Sequence, residues 1–279
     1  MNNLPATTLM AIGGAMDLDG PGAALRELFR LGGGEHGRFV ILPTASGLVN
    51  AGAGAREALV KLGAQHIPQI LPVRSRLQAL DPALLPAVEQ ATAIFFAGGD
   101  QLRITSFIGG APLETALLAA HARGCLISGS SAGTAVLSQV MLAYGKSGPS
   151  PRAGMAQFAP GLGFTRRVIF DQHFRQRDRL GRLIYAVTNH PGLLGVGVDE
   201  DTAAVIETFP DGRERLRVIG RHAVTIVDGR PASAVMVADL EAGQPVAVAG
   251  LHVHVLTQGC EFDLLERCAT LFEKPLELE

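Results

Sequence analysis

Tryptophan is absent from the 279 residues, tyrosine occurs twice, and aromatic residues make up 5% of the chain. The three cysteines, Cys125, Cys260 and Cys268, form no CxxC pair and leave one over. That argues against a disulfide framework or a zinc ribbon and makes a reducing compartment the simpler setting. No apolar run approaches the length of a membrane span, and the N-terminus lacks a basic start followed by a long apolar stretch. A cytoplasmic protein with no membrane partner is therefore expected. An excess of charge of one sign is missing as well: 24 Lys and Arg against 26 Asp and Glu leave a net charge of -2. Nothing global attracts nucleic acid, so a charged ligand has to be met by a local cluster.

What is present is a globular composition, with 47% hydrophobic residues, 18% charged residues and 34 glycines. Short apolar runs alternate with helical patterns, the signature of βαβ units and a parallel sheet covered on both faces. "TLMAIGG", "RFVILPTAS", "IPQILPV", "AIFFAGGD" and "CLISGS" read as strands. "AALRELFRL", "AREALVKLG" and "PLETALLAAHARG" read as the helices between them. The glycines and prolines of residues 143–163 predict a long irregular loop, either a lid or a crossing without a role. Then come the strand "RRVIF", a helix carrying "RLGRLIYAVTNH" and the strand "LGVGV". From about Arg213 onward, short alternating segments predict antiparallel hairpins attached to the main sheet. With no linker in view, residues 1–279 are read as one domain, with 213–279 as its β-rich extension.

Ser131 stands at the centre of Gly129-Ser130-Ser131-Ala132-Gly133, a G-x-S-x-G pattern at a strand-to-helix turn. Such a turn exposes the hydroxyl and points the backbone N–H of Ala132 at a developing oxyanion. The same pattern also suits a tight helix entry, so partners decide. Of the eight histidines, His36, His66, His121, His190 and His222 sit at helix ends or in turns, where surface or capping roles are the default. His252 and His254 share one strand face without a third ligand at metal-binding spacing, which favours a polar face and no metal. His173 directly follows "RRVIFDQ", so it lies where a strand ends, on the edge of the sheet that presents Ser131. A third strand end, "LGVGVDED", offers Asp199, Glu200 and Asp201 as the acid. Serine, histidine and carboxylate on adjacent strand ends make a hydrolytic triad, in an order that differs from that of the α/β-hydrolases.

Arg175, Arg177, Arg179 and Arg182 crowd the start of a helix, where positive charge is disfavoured. The run reads either as a solvated basic face partnered by Asp178 or as a grip on anionic substrate groups beside the base.

"FFAGGDQLRIT", "GSSAGTAVLS", "DQHFRQRDRLGRL" and "GVGVDEDTA", in this order and spacing, resemble the cyanophycinases. These are serine peptidases of the family that also contains the aspartyl dipeptidase peptidase E. The resemblance runs from the first strand to about Glu207, and the C-terminal hairpins match more loosely. It implies a three-layer α/β/α fold with a mainly parallel sheet, akin to class I glutamine amidotransferases. It implies Ser131 as nucleophile, His173 as base and Glu200 as acid, with Asp199 the alternative acid. It adds an oxyanion donor at Gly99, pocket residues Gln101, Asp171 and Gln172, and substrate-binding arginines Arg177, Arg179 and Arg182. The elbow departs from the family pattern in carrying Ser130 where a threonine is expected.

The activity implied is exopeptidase cleavage of cyanophycin, a polyaspartate backbone whose side-chain carboxyls carry arginine through isopeptide links. The products are β-aspartyl-arginine dipeptides, no cofactor is required, and a homodimer is expected. Three other readings stand beside it: a dipeptidase for small aspartyl or β-aspartyl peptides, a glutaminase subunit, and a non-catalytic polymer-binding protein. The glutaminase would need a cysteine in the elbow, whereas Cys125 lies six residues earlier, inside the strand.

Overall fold

The computed structural model describes residues 4–20, 22–234 and 237–272. Its first half follows the βα alternation: β1 (Thr7–Ile12), α1 (Ala23–Leu31), β2 (Phe39–Leu42), α2 (Ala53–Lys61), β3 (Gln69–Ile70), α3 (Arg76–Ala79), α4 (Leu85–Gln90) and β4 (Ala93–Phe96). There follow α5 (Gln101–Ile108), α6 (Pro112–Ala122), β5 (Leu126–Ser130) and the single turn α7 (Ala132–Ala135). The five strands pair in parallel in the order β3-β2-β4-β5-β1. Because side chains alternate along each strand, both faces of the sheet are apolar and both are covered. Leu25 and Leu28 of α1, with Leu59 of α2, pack against Met10, Ile12 and Ile41. Ile104 of α5 and Leu113 and Leu117 of α6 pack against the opposite set, Leu9, Ala11 and Ile127.

Residues 143–163 are divided between strand and loop, where one irregular loop was expected. β6 (Val140–Gly145) and β7 (Ala156–Pro160) form an antiparallel hairpin, bulged between Leu142 and Tyr144. Met155, Phe158 and Tyr185 anchor it in a small apolar cluster of its own. Residues 146–155 loop out between the strands, and that loop is tied down by Gly148 N–H to Asp178 O at 2.6 Å and Gly181 N–H to Gly148 O at 2.9 Å.

β8 (Val168–Gln172), α8 (Leu180–Asn189) and β9 (Leu194–Val198) make the last βαβ unit, and β8 and β9 pair in parallel. They do not continue the main sheet. β5 already has β1 and β4 on its two edges, and the free edge of β1 is taken by β10 (Thr202–Thr208). β8 and β9 therefore open a second sheet, in the order β15-β12-β9-β8. The remaining strands are β11 (Glu214–Gly220), β12 (Val224–Asp228), β13 (Ser233–Ala234), β14 (Val248–Ala249), β15 (His252–Leu256), β16 (Glu261–Asp263) and β17 (Cys268–Thr270). The antiparallel region begins at β10, earlier than Arg213, and is shared between the sheets. β10, β11, β16 and β17 extend the main sheet, while β12 and β15 extend the second, so not every hairpin attaches where the alternation pattern suggested. Among the described residues, no helix is long and apolar enough to cross a membrane.

Candidate active site

The two sheets meet at one edge. Gly13 follows β1; its carbonyl accepts the N–H of His173 at 2.7 Å, and its own N–H donates to Thr202 O at 3.0 Å. The N–H of Asp201 donates to Gly14 O at 2.9 Å. These backbone bonds lock the ends of β8 and β9 over the ends of β1 and β5. Serine, histidine and acid thus arrive from two sheets rather than from neighbouring strands of one.

Ser131 lies between β5 and α7 with φ 55° and ψ -114°, a conformation that non-glycine residues rarely adopt. Its N–H donates to Ile12 O at 3.1 Å, and Thr134 Oγ1 bridges Ile12 O at 2.6 Å and Gly129 O at 2.7 Å. The flanking glycines have a steric cause. A Cβ at Gly129 would stand 2.1 Å from Gly133 O, and one at Gly133 would stand 2.1 Å from Phe96 O. The elbow therefore tolerates no side chain on either flank, and the strain it stores holds the half-buried Ser131 hydroxyl outward.

Ser131 Oγ is 2.8 Å from His173 Nε2, and His173 Nδ1 is 2.6 Å from Glu200 Oε1. The carboxylate fixes the tautomer: Nδ1 carries the proton it donates to Glu200, leaving Nε2 to accept from the serine. Burial, opposed by the Glu200 hydrogen bond and aided by the nearby Arg177 and Arg179 charges, holds the imidazole below its ordinary pKa. Asp199 points elsewhere. It is 2% exposed, and its two oxygens accept the backbone N–H of Arg175 at 3.0 Å and of Ala223 at 3.2 Å. Asp201 is likewise engaged, accepting the N–H of Asp17 at 3.1 Å. Of the three carboxylates offered by the strand end, Glu200 alone reaches the imidazole.

Among the described residues, the N–H groups of Ala132 and Gly99 have no acceptor within the chain. Asp100 caps α5 by accepting the N–H of Leu102 at 2.9 Å, which holds the Gly99 turn in place. The next residue, Gln101, donates its side-chain amide to Leu142 O at 3.2 Å and to Ala143 O, tying the elbow side of the site to the β6–β7 hairpin.

The arginines divide. Arg175 and Arg177 lie in a 3-10 turn and are exposed, whereas Arg179 and Arg182 are buried at the entry to α8. Arg182 forks onto Asp171, with Nε 2.6 Å from Oδ2 and Nη2 on Oδ1. Arg179 Nη1 is shared by Asp171 Oδ1 at 3.3 Å, Gln172 Oε1 at 2.7 Å and Gln172 O. Asp171 and Gln172 therefore form one buried polar knot with these two arginines, directly below His173.

Sequence reasoning missed Gly14. It has φ 110°, and a Cβ there would fall 2.2 Å from His173 Cε1. The only signal was the Gly-Gly pair ending the first strand.

The model of peptidase family S51 matches residues 9–209. A cyanophycinase from Geminocystis herdmanii is 36% identical over 260 residues, which is 92% of this chain and 93% of that protein. A cyanophycinase from Trichormus variabilis is 37% identical over 265 residues, 94% of this chain and 87% of that protein. A solved peptidase structure from an acI-B1 Actinobacterium shares the fold, with a TM-score of 0.64 at 22% identity over 92% of this chain and 96% of that one.

Proposed function

The chain belongs to peptidase family S51 and is a serine-type peptidase, and from that premise we propose that it hydrolyses cyanophycin to β-aspartyl-arginine dipeptides through a Ser131-His173-Glu200 triad. The observation that carries the reading is the unbroken relay of 2.8 Å and 2.6 Å from a strained serine through histidine to glutamate.

In this mechanism Ser131 Oγ attacks the backbone carbonyl of an aspartyl residue while His173 Nε2 takes the hydroxyl proton. Glu200 stabilises the imidazolium by accepting from Nδ1. The tetrahedral oxyanion draws on the unpartnered N–H groups of Ala132 and Gly99, donors that need no reorganisation at the moment of reaction. His173 returns its proton to the leaving amine. Water then enters by the same route, attacks the acyl-serine and regenerates the hydroxyl.

The substrate reading rests on the two cyanophycinases at 36% and 37% identity and on charge beside the base. The free carboxylates of cyanophycin belong to its attached arginines. The exposed Arg177, whose N–H donates to His173 O at 3.0 Å, is placed to pair with one. Behind it Arg179, Arg182, Asp171 and Gln172 form the buried knot, and Gln101 ties the elbow side to the β6–β7 hairpin.

The test is incubation with insoluble cyanophycin, following granule clearing and identifying soluble products by mass spectrometry, with Ser131→Ala alongside. Clearing to β-aspartyl-arginine by the unaltered protein alone is expected. Clearing by Ser131→Ala would remove the triad. No clearing by either, with turnover of a soluble β-aspartyl dipeptide, would move the substrate to small isopeptides.

A further inference from the structure

We propose that a cleft of about 510 Å³ beside Glu200 is a second, non-catalytic subsite that binds carboxylate groups of the polymer several residues away from the scissile bond. The proposal rests on the cyanophycin reading above. Arg175, Gln176, Asp199, Arg221, His222 and Gln258 line the cleft, and none of them belongs to the triad.

Strand register places this cleft on the catalytic edge. Arg175 follows the end of β8, and Asp199 follows the end of β9. Gly220, the last residue of β11, pairs with Thr202 at the start of β10, and Ala203 in turn pairs with Ile12 at the end of β1. Val224 of β12 pairs with both Val198 and Leu256, so Arg221, His222 and Gln258 reach the same edge. Along the main sheet, three strand steps of about 4.8 Å separate β5 from β11, on the order of 14 Å. Gln176 links the two regions, its Oε1 accepting the N–H of Glu200 at 3.1 Å.

The chemistry of the cleft selects an anion. Arg175, Arg221 and His222 are exposed, and among the described residues the hydrogen bonds they donate run through backbone N–H groups. Those bonds go to Asp199 Oδ1 at 3.0 Å, Asp201 O at 3.1 Å and Thr202 Oγ1 at 2.9 Å. The guanidinium and imidazole groups are left to a ligand. Asp199, the lone carboxylate of the lining, already spends an oxygen on each of two backbone donors. Two guanidinium forks in one concave site suit carboxylates, which they grip in bidentate fashion.

Distance then separates polymer from dipeptide. An extended backbone advances about 3.3–3.6 Å per residue, so a chain spanning on the order of 14 Å is about four residues long. A dipeptide at Ser131 falls short of the far wall at Gly220 and Arg221, whereas a polymer carrying a free carboxylate on every unit can occupy both. The second contact raises the effective concentration of the scissile bond.

The experiment compares the unaltered protein with Arg175→Gln/Arg221→Gln and with Arg221→Glu, measuring kcat and KM on cyanophycin at low and high salt. Both side chains are exposed, and circular dichroism checks that the variants fold. For the double variant, a KM at least about fivefold higher at low salt is expected, with kcat retained and the gap closing as salt screens the charges. Arg221→Glu should raise KM further. Equal polymer KM values across the three proteins, with cyanophycin still cleaved, would overturn the subsite and leave the proposed function standing. Failure of the unaltered protein to cleave the polymer would overturn both.

Discussion

Gly14 and His173 share one space: a methyl group on residue 14 would sit 2.2 Å from Cε1 and 2.5 Å from Nε2 of the imidazole. At φ 110°, residue 14 also holds a conformation that L side chains avoid. Gly14→Ala should therefore push the ring off Ser131. A misplacement of about 1 Å at a reacting group costs about 100-fold in rate, so kcat should fall by about that factor while the protein still folds. Turnover within twofold of normal would mean that the ring is not held against Gly14.

Glu200 and Asp199 are adjacent in sequence and opposite in role. Glu200→Gln removes the charge that stabilises the imidazolium and lets an amide N–H face Nδ1, which favours the wrong tautomer, so kcat should drop by about 10⁴-fold with little change in melting temperature. Asp199→Ala strands the N–H groups of Arg175 and Ala223, each costing about 1–3 kcal/mol when buried and unpaired. Its signature is a lowered melting temperature. If Asp199→Ala lost activity at full stability while Glu200→Gln did neither, the acid would have to be reassigned.

That Ser131, His173 and a carboxylate meet was legible because each stands where an apolar run gives way to polar residues, and strand ends in α/β proteins share an edge. What the runs could not reveal is that this edge is built from two sheets. That depends on β10 claiming the free side of β1, a pairing between residues almost 200 apart. The β6–β7 hairpin was hidden for a local reason, since its bulge at Leu142/Tyr144 and its Gly-Pro-rich tip erase the period of two. Gly14 was invisible because its requirement comes from His173, which arrives from a distant segment. The buried fork of Arg182 on Asp171 joins residues only 11 apart, yet a cluster of arginines reads as one basic run until the backbone turns two of them inward.

The depressed pKa of His173 has a kinetic consequence. The base must be neutral, and its neutral fraction falls as pH drops through its pKa. Because burial and the Arg177 charge both favour the neutral ring, the acid limb of kcat/KM should lie below the ordinary histidine value of about 6.5. Arg177→Gln removes a repelling charge, so the limb should move to higher pH, apart from any loss of substrate affinity. A limb that stays in place or moves to lower pH would separate Arg177 from the electrostatics of the base.

Asp171 holds two buried guanidinium groups, and its removal should be the most destabilising single change at the site. Burial draws Arg179 down to about 10, which leaves it charged at neutral pH, and Arg182 is 5% exposed. Asp171→Ala would leave both charges without their carboxylate. Breaking a buried pair in this way typically costs about 3–5 kcal/mol, far more than the pair contributes relative to an apolar replacement. A matching drop in denaturation midpoint is expected, with Asp171→Asn losing less because one carbonyl oxygen can still accept. Activity should fall in step, since Gln172 and the end of β8 support His173 from the same knot. An Asp171→Ala protein as stable as the original would show that water, not the carboxylate, compensates these arginines.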